Sequence, residues 1–158
     1  MKKTKTGGFI FSFFLFILLV TANAFASDGI KWHKYEEGMK SGKNSQKKVF
    51  LFFYSDFCRY CKEMESKTFK NTSVIDAVNN NFIPVKVNTD KEQNIAEEYG
   101  VRGLPSIFFI SEKGEITNKY PGYIPSDMLL IALKHVYTDS YKTMSLKSYM
   151  NSISSSEK

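Results

Sequence analysis

The chain is poor in the groups that most often carry chemistry in a protein of its size. Its 158 residues include two cysteines, two histidines, four prolines and one tryptophan. Four ligands are the norm for zinc, and beyond the cysteines His33 and His135 stand far apart in sequence, so no metal or other cofactor is expected. The longest apolar stretch, Phe9 to Val20, has twelve residues. That falls short of the roughly twenty needed to cross a bilayer, which argues against a spanning anchor. No internal repeat appears. A large excess of one charge is missing too. The formal charge of +6 falls to +3 without the first 26 residues, which carry three lysines and no acid. Basic and acidic residues are interspersed thereafter, so a solvated mixed-charge surface is expected and a nucleic-acid partner is not.

The first 26 residues have the pattern of a cleaved signal peptide. Lys2, Lys3 and Lys5 form a basic start, Phe9 to Val20 an apolar run, and Ala24-Phe25-Ala26 a small-residue cleavage site, which makes Ser27 the first mature residue. The expected location is periplasmic or otherwise exported, with no stable membrane insertion after cleavage. What remains is enough for one domain with one core, expected over residues 27–137, and a tail over 138–158.

Against this background the cysteines stand out, because both lie in Cys58-Arg59-Tyr60-Cys61 at the mouth of an expected helix. As half a zinc site the pair lacks partners. As a static staple it closes so small a loop that it removes little entropy from the unfolded chain. A redox dithiol is the stronger reading, and in an oxidising compartment it persists as a dithiol only if something reduces it again.

Val49-Phe50-Leu51-Phe52-Phe53-Tyr54 is a continuous run of β-branched, aliphatic and aromatic residues, the pattern of a central strand buried on both faces. A short helix over Tyr35 to Lys40 and a polar loop over Ser41 to Lys48 precede it. After the cysteines the pattern is helical from Arg59, with a break and fresh N-cap at Asn71 to Ser73. A strand over Phe82 to Val87 and a helix over Asp90 to Tyr99, stopped by Gly100, come next. Ser106 to Ile110 and Glu115 to Tyr120, turning at Glu112-Lys113-Gly114, form a hairpin. Pro125 to Tyr137 carries the stripe of a last amphipathic helix, and the Ser- and Lys-rich tail has hydrophobes for one short helix. This order implies an α/β fold, a central mixed sheet with helices on both faces, and a site at the carboxyl end of its central strand.

Three stretches in this order, Ser55-Asp56-Phe57-Cys58-Arg59-Tyr60-Cys61-Lys62, Val85-Lys86-Val87-Asn88-Thr89-Asp90 and Tyr99-Gly100-Val101-Arg102-Gly103-Leu104-Pro105-Ser106, resemble the thioredoxin-fold family. The resemblance spans Trp32 to Tyr137. Cys61-Lys62-Glu63-Met64-Glu65 and the early Trp32 are most similar to exported reductase domains, above all the C-terminal domain of the membrane disulfide reductase DsbD and its free-standing relatives. It implies a cis Leu104-Pro105 peptide facing the cysteines, which sequence alone does not predict. This chain departs from the pattern of thioredoxin proper at Phe57, where Trp is usual, and at Arg59-Tyr60, where Gly-Pro is usual. The redox potential is therefore not carried over. It departs again at Phe52, where many members keep a buried acid.

Residue roles follow as expectations. Cys58, at the helix start, is the attacking sulfur, because unpaired N–H groups and the helix dipole favour its thiolate. Cys61, one turn on, resolves the mixed disulfide. With Phe52 unable to accept a proton, Glu65 is the candidate helper for Cys61, four residues away on the same helical face; the alternative is a solvated glutamate. Lys86 aligns with the family lysine below the site. Arg59 either stabilises the thiolate or faces water. Phe57, Tyr60, Leu104 and Pro105 are the expected substrate-binding residues, the last two pairing with an extended substrate chain. The expected activity is reduction of protein or small-thiol disulfides, with a membrane thiol relay as electron donor. The alternatives are a disulfide-donating oxidase, an isomerase, and a non-catalytic peptide-binding module.

Overall fold

The computed structural model describes residues 29–156. The expected leader lies outside them. Strand β1 (Val49–Tyr54) is the centre of a four-stranded sheet in the order β2-β1-β3-β4, where β2 is Ile83–Asn88, β3 Ser106–Ile110 and β4 Ile116–Pro121. β1 runs parallel to β2 and antiparallel to β3, and β3 turns back onto β4. The parallel pair is the consequence of a crossover: the chain leaves β1, builds helices α2 (Arg59–Ser66) and α3 (Thr72–Asn81) on one face, and returns beside its start. The remaining helices are α1 (Tyr35–Ser45), α4 (Gln93–Glu98), α5 (Ser126–Tyr137) and α6 (Leu146–Ser156).

Alternation along β1 splits the core in two. Phe50 and Phe52 point to one face with Cys61, Met64, Phe69, Val74, Val78 and the apolar side of α5. Leu51 and Phe53 point to the other with Val85, Val87, Ile95 and Tyr99. Both faces being covered, the strand has no solvent side to signal, which is why it reads as an unbroken apolar run. Trp32 lies on the first face, its ring 6.0 Å from Phe52 and 5.4 Å from Phe69. The segment before α1 also covers the outer edge of β2: His33 N–H donates to Pro84 O at 2.9 Å, and Lys86 N–H to His33 O at 3.2 Å. An edge so paired is closed to further strands.

Two helices differ from the sequence expectation. α1 continues to Ser45 where a loop from Ser41 was expected. Gly38 and Gly42, which weaken a helix by themselves, lie instead against the sheet, where a Cβ on Gly38 would stand 2.2 Å from Val85 Cγ2 and one on Gly42 2.7 Å from Val49 Cγ2. α4 is shorter than Asp90 to Tyr99, because residues 90–92 form a turn on Asn88 instead: Lys91 and Glu92 N–H groups donate to Asn88 O. The N-cap at Asn71 is as read, its side chain accepting from Val74 N–H at 3.2 Å. After α5, Asp139 in a left-handed conformation opens a 3-10 turn at Ser140–Lys142, and α6 follows.

Candidate functional site

At the carboxyl end of β1 the chain makes a tight loop before α2, and Asp90 fixes that loop. Its Oδ2 accepts from Ser55 Oγ at 2.7 Å and from Asp56 N–H at 3.1 Å. Ser55 Oγ in turn accepts from Phe57 N–H, and Cys58 N–H donates to Ser55 O at 3.2 Å. Asp90 closes the second of the three family-like stretches, but nothing in its spacing from Ser55 shows that the two meet. The Asp56 side chain itself points outward; its carboxylate lies 3.8 Å from Lys91 Nζ.

Cys58 is the N-cap of α2. Its Sγ accepts from Cys61 N–H at 3.1 Å, one of the amides a helix start leaves without an internal partner. The two sulfurs form a disulfide, Cα to Cα 5.2 Å. The cysteines differ in access: Cys61 is fully buried among Phe52, Met64 and Phe69, while Cys58 is half-buried at the rim. The Leu104-Pro105 peptide is cis. The loop after β4 is tied to this proline, Gly122 N–H donating to Pro105 O at 2.7 Å. Leu104 packs with both halves of the core and borders a cavity of about 510 Å³ shared with Thr89, Gln93 and Arg102.

Phe52 stands beneath Cys61, fully buried, its ring 4.9 Å from Phe69 edge to face and stacked on Tyr54 at 5.9 Å. Burying such a side chain stabilises by roughly 1.5–3 kcal/mol, which an ionised acid there would forfeit without a partner. The charge sits one strand over. Lys86 is directly opposite Phe52 in the β1–β2 register, so it is on the same face. Its ammonium is ion-paired with Glu65 and lies 4.1 Å from the centroid of the Tyr54 ring. Glu65 comes down from α2 to a lysine beside Phe52. Both groups are partly exposed, Glu65 lining a cavity of about 340 Å³ with Trp32 and Phe69.

Phe57 is 91% exposed and Tyr60 57%, on either side of Cys58 in the chain. Arg59 points to solvent, as do Lys62 and Arg102. The ring of Tyr123, a residue that no sequence motif marks, is 6.4 Å from that of Tyr60. Its place after the hairpin carries no local signal, since the hairpin's register decides what it meets. Among the described residues no group of three or more His, Cys, Asp and Glu side chains is arranged to hold a metal ion, and no helix is long and apolar enough to cross a membrane.

Comparison with known proteins agrees with this geometry. The DsbD thiol:disulfide interchange protein of Photorhabdus laumondii is 34% identical over 87 residues, covering 53% of this chain and 15% of that protein. The chain thus spans a small fraction of such relatives. Among solved structures, a thioredoxin from Thermus thermophilus superposes with a TM-score of 0.63 at 25% identity, over 68% of this chain and 87% of that one. The oxidised C-terminal domain of Neisseria meningitidis DsbD gives 0.55 at 27% identity, over 63% and 90%. The model of the thioredoxin-like domain matches residues 35–137, well over half of the sequence, from the first turn of α1 to the end of α5. The expected fold is therefore the observed one, and the chain belongs to the thioredoxin-like domain family.

Proposed function

We propose that this protein is an exported thiol-disulfide oxidoreductase that reduces protein disulfides or small-molecule disulfides. The difference in access between its two sulfurs carries the reading: one half-buried cysteine caps a helix and the other is fully buried one turn below. A buried sulfur cannot meet an external disulfide, so Cys58 attacks. Its thiolate is favoured by the α2 N-terminus and by Cys61 N–H. The Cys58 thiolate displaces one sulfur of the substrate disulfide, forming a mixed disulfide and releasing a substrate thiolate. Cys61, deprotonated, then attacks Cys58 Sγ, releasing the second substrate thiolate and leaving Cys58–Cys61 oxidised by two electrons. Leu104 and Pro105 hold the substrate chain beside Cys58 in strand-like pairing, and Phe57, Arg59 and Tyr60 border it.

The Cys61 proton needs an acceptor, and Phe52 is none. Glu65 takes that role, one helical turn from Cys61 and held in place by its ion pair with Lys86, with the cavity beside Trp32 as the route to water. Each turnover needs a dithiol donor, and the likeness to DsbD together with the leader-like first 26 residues supports a membrane thiol relay.

Insulin reduction by dithiothreitol tests the activity: wild type accelerates it, and Cys58→Ala brings the rate to the uncatalysed background. Equal rates for both proteins overturn the proposal. Equilibration with glutathione tests direction. A potential more negative than roughly −180 mV supports a reductase, whereas one near roughly −120 mV makes the protein an oxidant.

A further inference from the structure

The oxidoreductase reading leaves one surface feature unused. Exposed aromatic side chains normally scatter singly, yet Tyr60 and Tyr123 meet at 6.4 Å across the gap between the cysteine motif and the loop after β4, with Phe57 nearby in the motif. The Tyr123 loop is held from both sides. Gly122 N–H donates to Pro105 O at 2.7 Å, and the buried Thr68 hydroxyl, below α2, donates to Ile124 O at 2.8 Å. Gly122 takes a φ of +88°, which lets the loop turn inward there. Tyr123 is therefore positioned before any partner arrives, and a preformed aromatic contact loses little entropy on binding.

The unpaired charge of α2 is positive. The acids of α2 are occupied, Glu63 by Lys67 at 2.8 Å and Glu65 by Lys86. Arg59 and Lys62, exposed on the same helix, have no ion pair among the described residues.

We propose that Tyr60 and Tyr123 form an aromatic clasp that selects one kind of partner: an extended protein segment with a large apolar residue beside its disulfide cysteine and an acidic residue close by. The apolar side chain packs against the paired rings, and the acid meets Arg59 and Lys62. The clasp joins α2, which Cys58 caps, to the loop after β4, which is hydrogen-bonded to Pro105, so it reads the residues flanking the reacting disulfide.

The inference rests on the proposed oxidoreductase function, and the test separates the two. Three disulfide-bridged peptides are compared with the full chain: Phe beside the cysteine with Asp two positions on, Phe with Lys, and Gly with Lys. The wild-type exchange rate is expected to be about tenfold higher for the first than for the last, with the second between them. Tyr123→Ala brings the first-to-last ratio to about twofold or less, whereas Tyr123→Phe retains it. A wild-type ratio near one, or a ratio indifferent to Tyr123→Ala, overturns the clasp. The same peptides with serine for cysteine, labelled for fluorescence anisotropy, report binding without exchange. Ranked binding with no exchange sinks the redox function and keeps the clasp; exchange with no ranking does the reverse.

Discussion

Phe52 and Glu65 together pose the sharpest question at the scale of single residues. A phenylalanine beneath a resolving cysteine contributes packing, and it cannot take a proton. The ion pair of Glu65 with Lys86 puts an acid on the same face of the sheet from a different element, α2 instead of β1. If Glu65 acts as the acceptor, Glu65→Gln slows the second exchange, attack by Cys61, by on the order of tenfold to a hundredfold and spares the first. Stopped-flow mixing with a disulfide peptide separates the steps: the variant accumulates the mixed disulfide, and raising the pH, which deprotonates Cys61 without help, restores its rate. A merely structural Glu65 gives no accumulation and no such pH rescue. Much of this site was legible in the sequence, because Cys58, Cys61 and Pro105 lie in local motifs. The partners of Glu65 were not, because Lys86 is 21 residues away and only the register of β2 against β1 brings them together. Asp90, which holds the loop before Cys58, and Tyr123 escaped for the same reason.

Elements were legible where one physical signal governs them. The apolar run of β1, the break at Asn71 and the hairpin at Gly114 each act within a few residues. The end of α1 was missed because Ser41 to Lys48 is polar and has the look of a loop, whereas Gly38 and Gly42 are where the helix approaches β2 and β1. That close approach makes a strong prediction. Gly38→Ala places a methyl 2.2 Å from Val85 Cγ2 and 3.1 Å from His33 Cβ, so strand, helix or both must shift. The higher helix propensity of alanine returns under about 1 kcal/mol. Overpacking costs about 1–3 kcal/mol, so the variant is destabilised, and chemical denaturation is expected to show a lower midpoint. An alanine at Lys40, exposed on the same helix, is the control and leaves the midpoint unchanged. An unshifted midpoint for Gly38→Ala would mean that α1 is not clamped to the sheet.

Across the whole molecule, the segment after α5 is joined to the sheet far from the cysteines, at the start of β1. The Lys48 ammonium, buried, lies 2.6 Å from Glu112 in the β3–β4 turn and 3.1 Å from Asp139, which Lys142 also meets at 3.0 Å. Burial alone would lower the Lys48 pKa, but the two carboxylates outweigh it and the net shift is upward. For Glu112, burial pushes upward, and Lys48 with a backbone N–H pulls it below the ordinary carboxylate value. For Asp139, the Lys142 and Lys48 ammonium groups hold it low. Further along, His135 Nε2 donates to Met144 O at 2.9 Å and its ring packs on Tyr149 at 5.1 Å, which seats α6 on α5. These contacts hide in a Ser- and Lys-rich sequence because they depend on few residues placed by the 3-10 turn. The pH dependence has a definite sign. Carboxylates with lowered folded pKa values contribute stability above their unfolded values, near about 4, and lose it as the pH falls through the folded ones. Lys48, shifted up, contributes below its unfolded value of about 10.4 and loses it as the pH rises past the folded one. Thermal midpoints are therefore expected to fall on acidification below about pH 4, and Asp139→Asn to flatten that limb while leaving the alkaline limb largely to the Lys48–Glu112 pair. Because Asp139 is partly exposed, its share is small and screened, so added salt narrows the gap between the two proteins. An acid limb unchanged by Asp139→Asn at low salt would show that this junction does not hold the segment after α5 to the sheet.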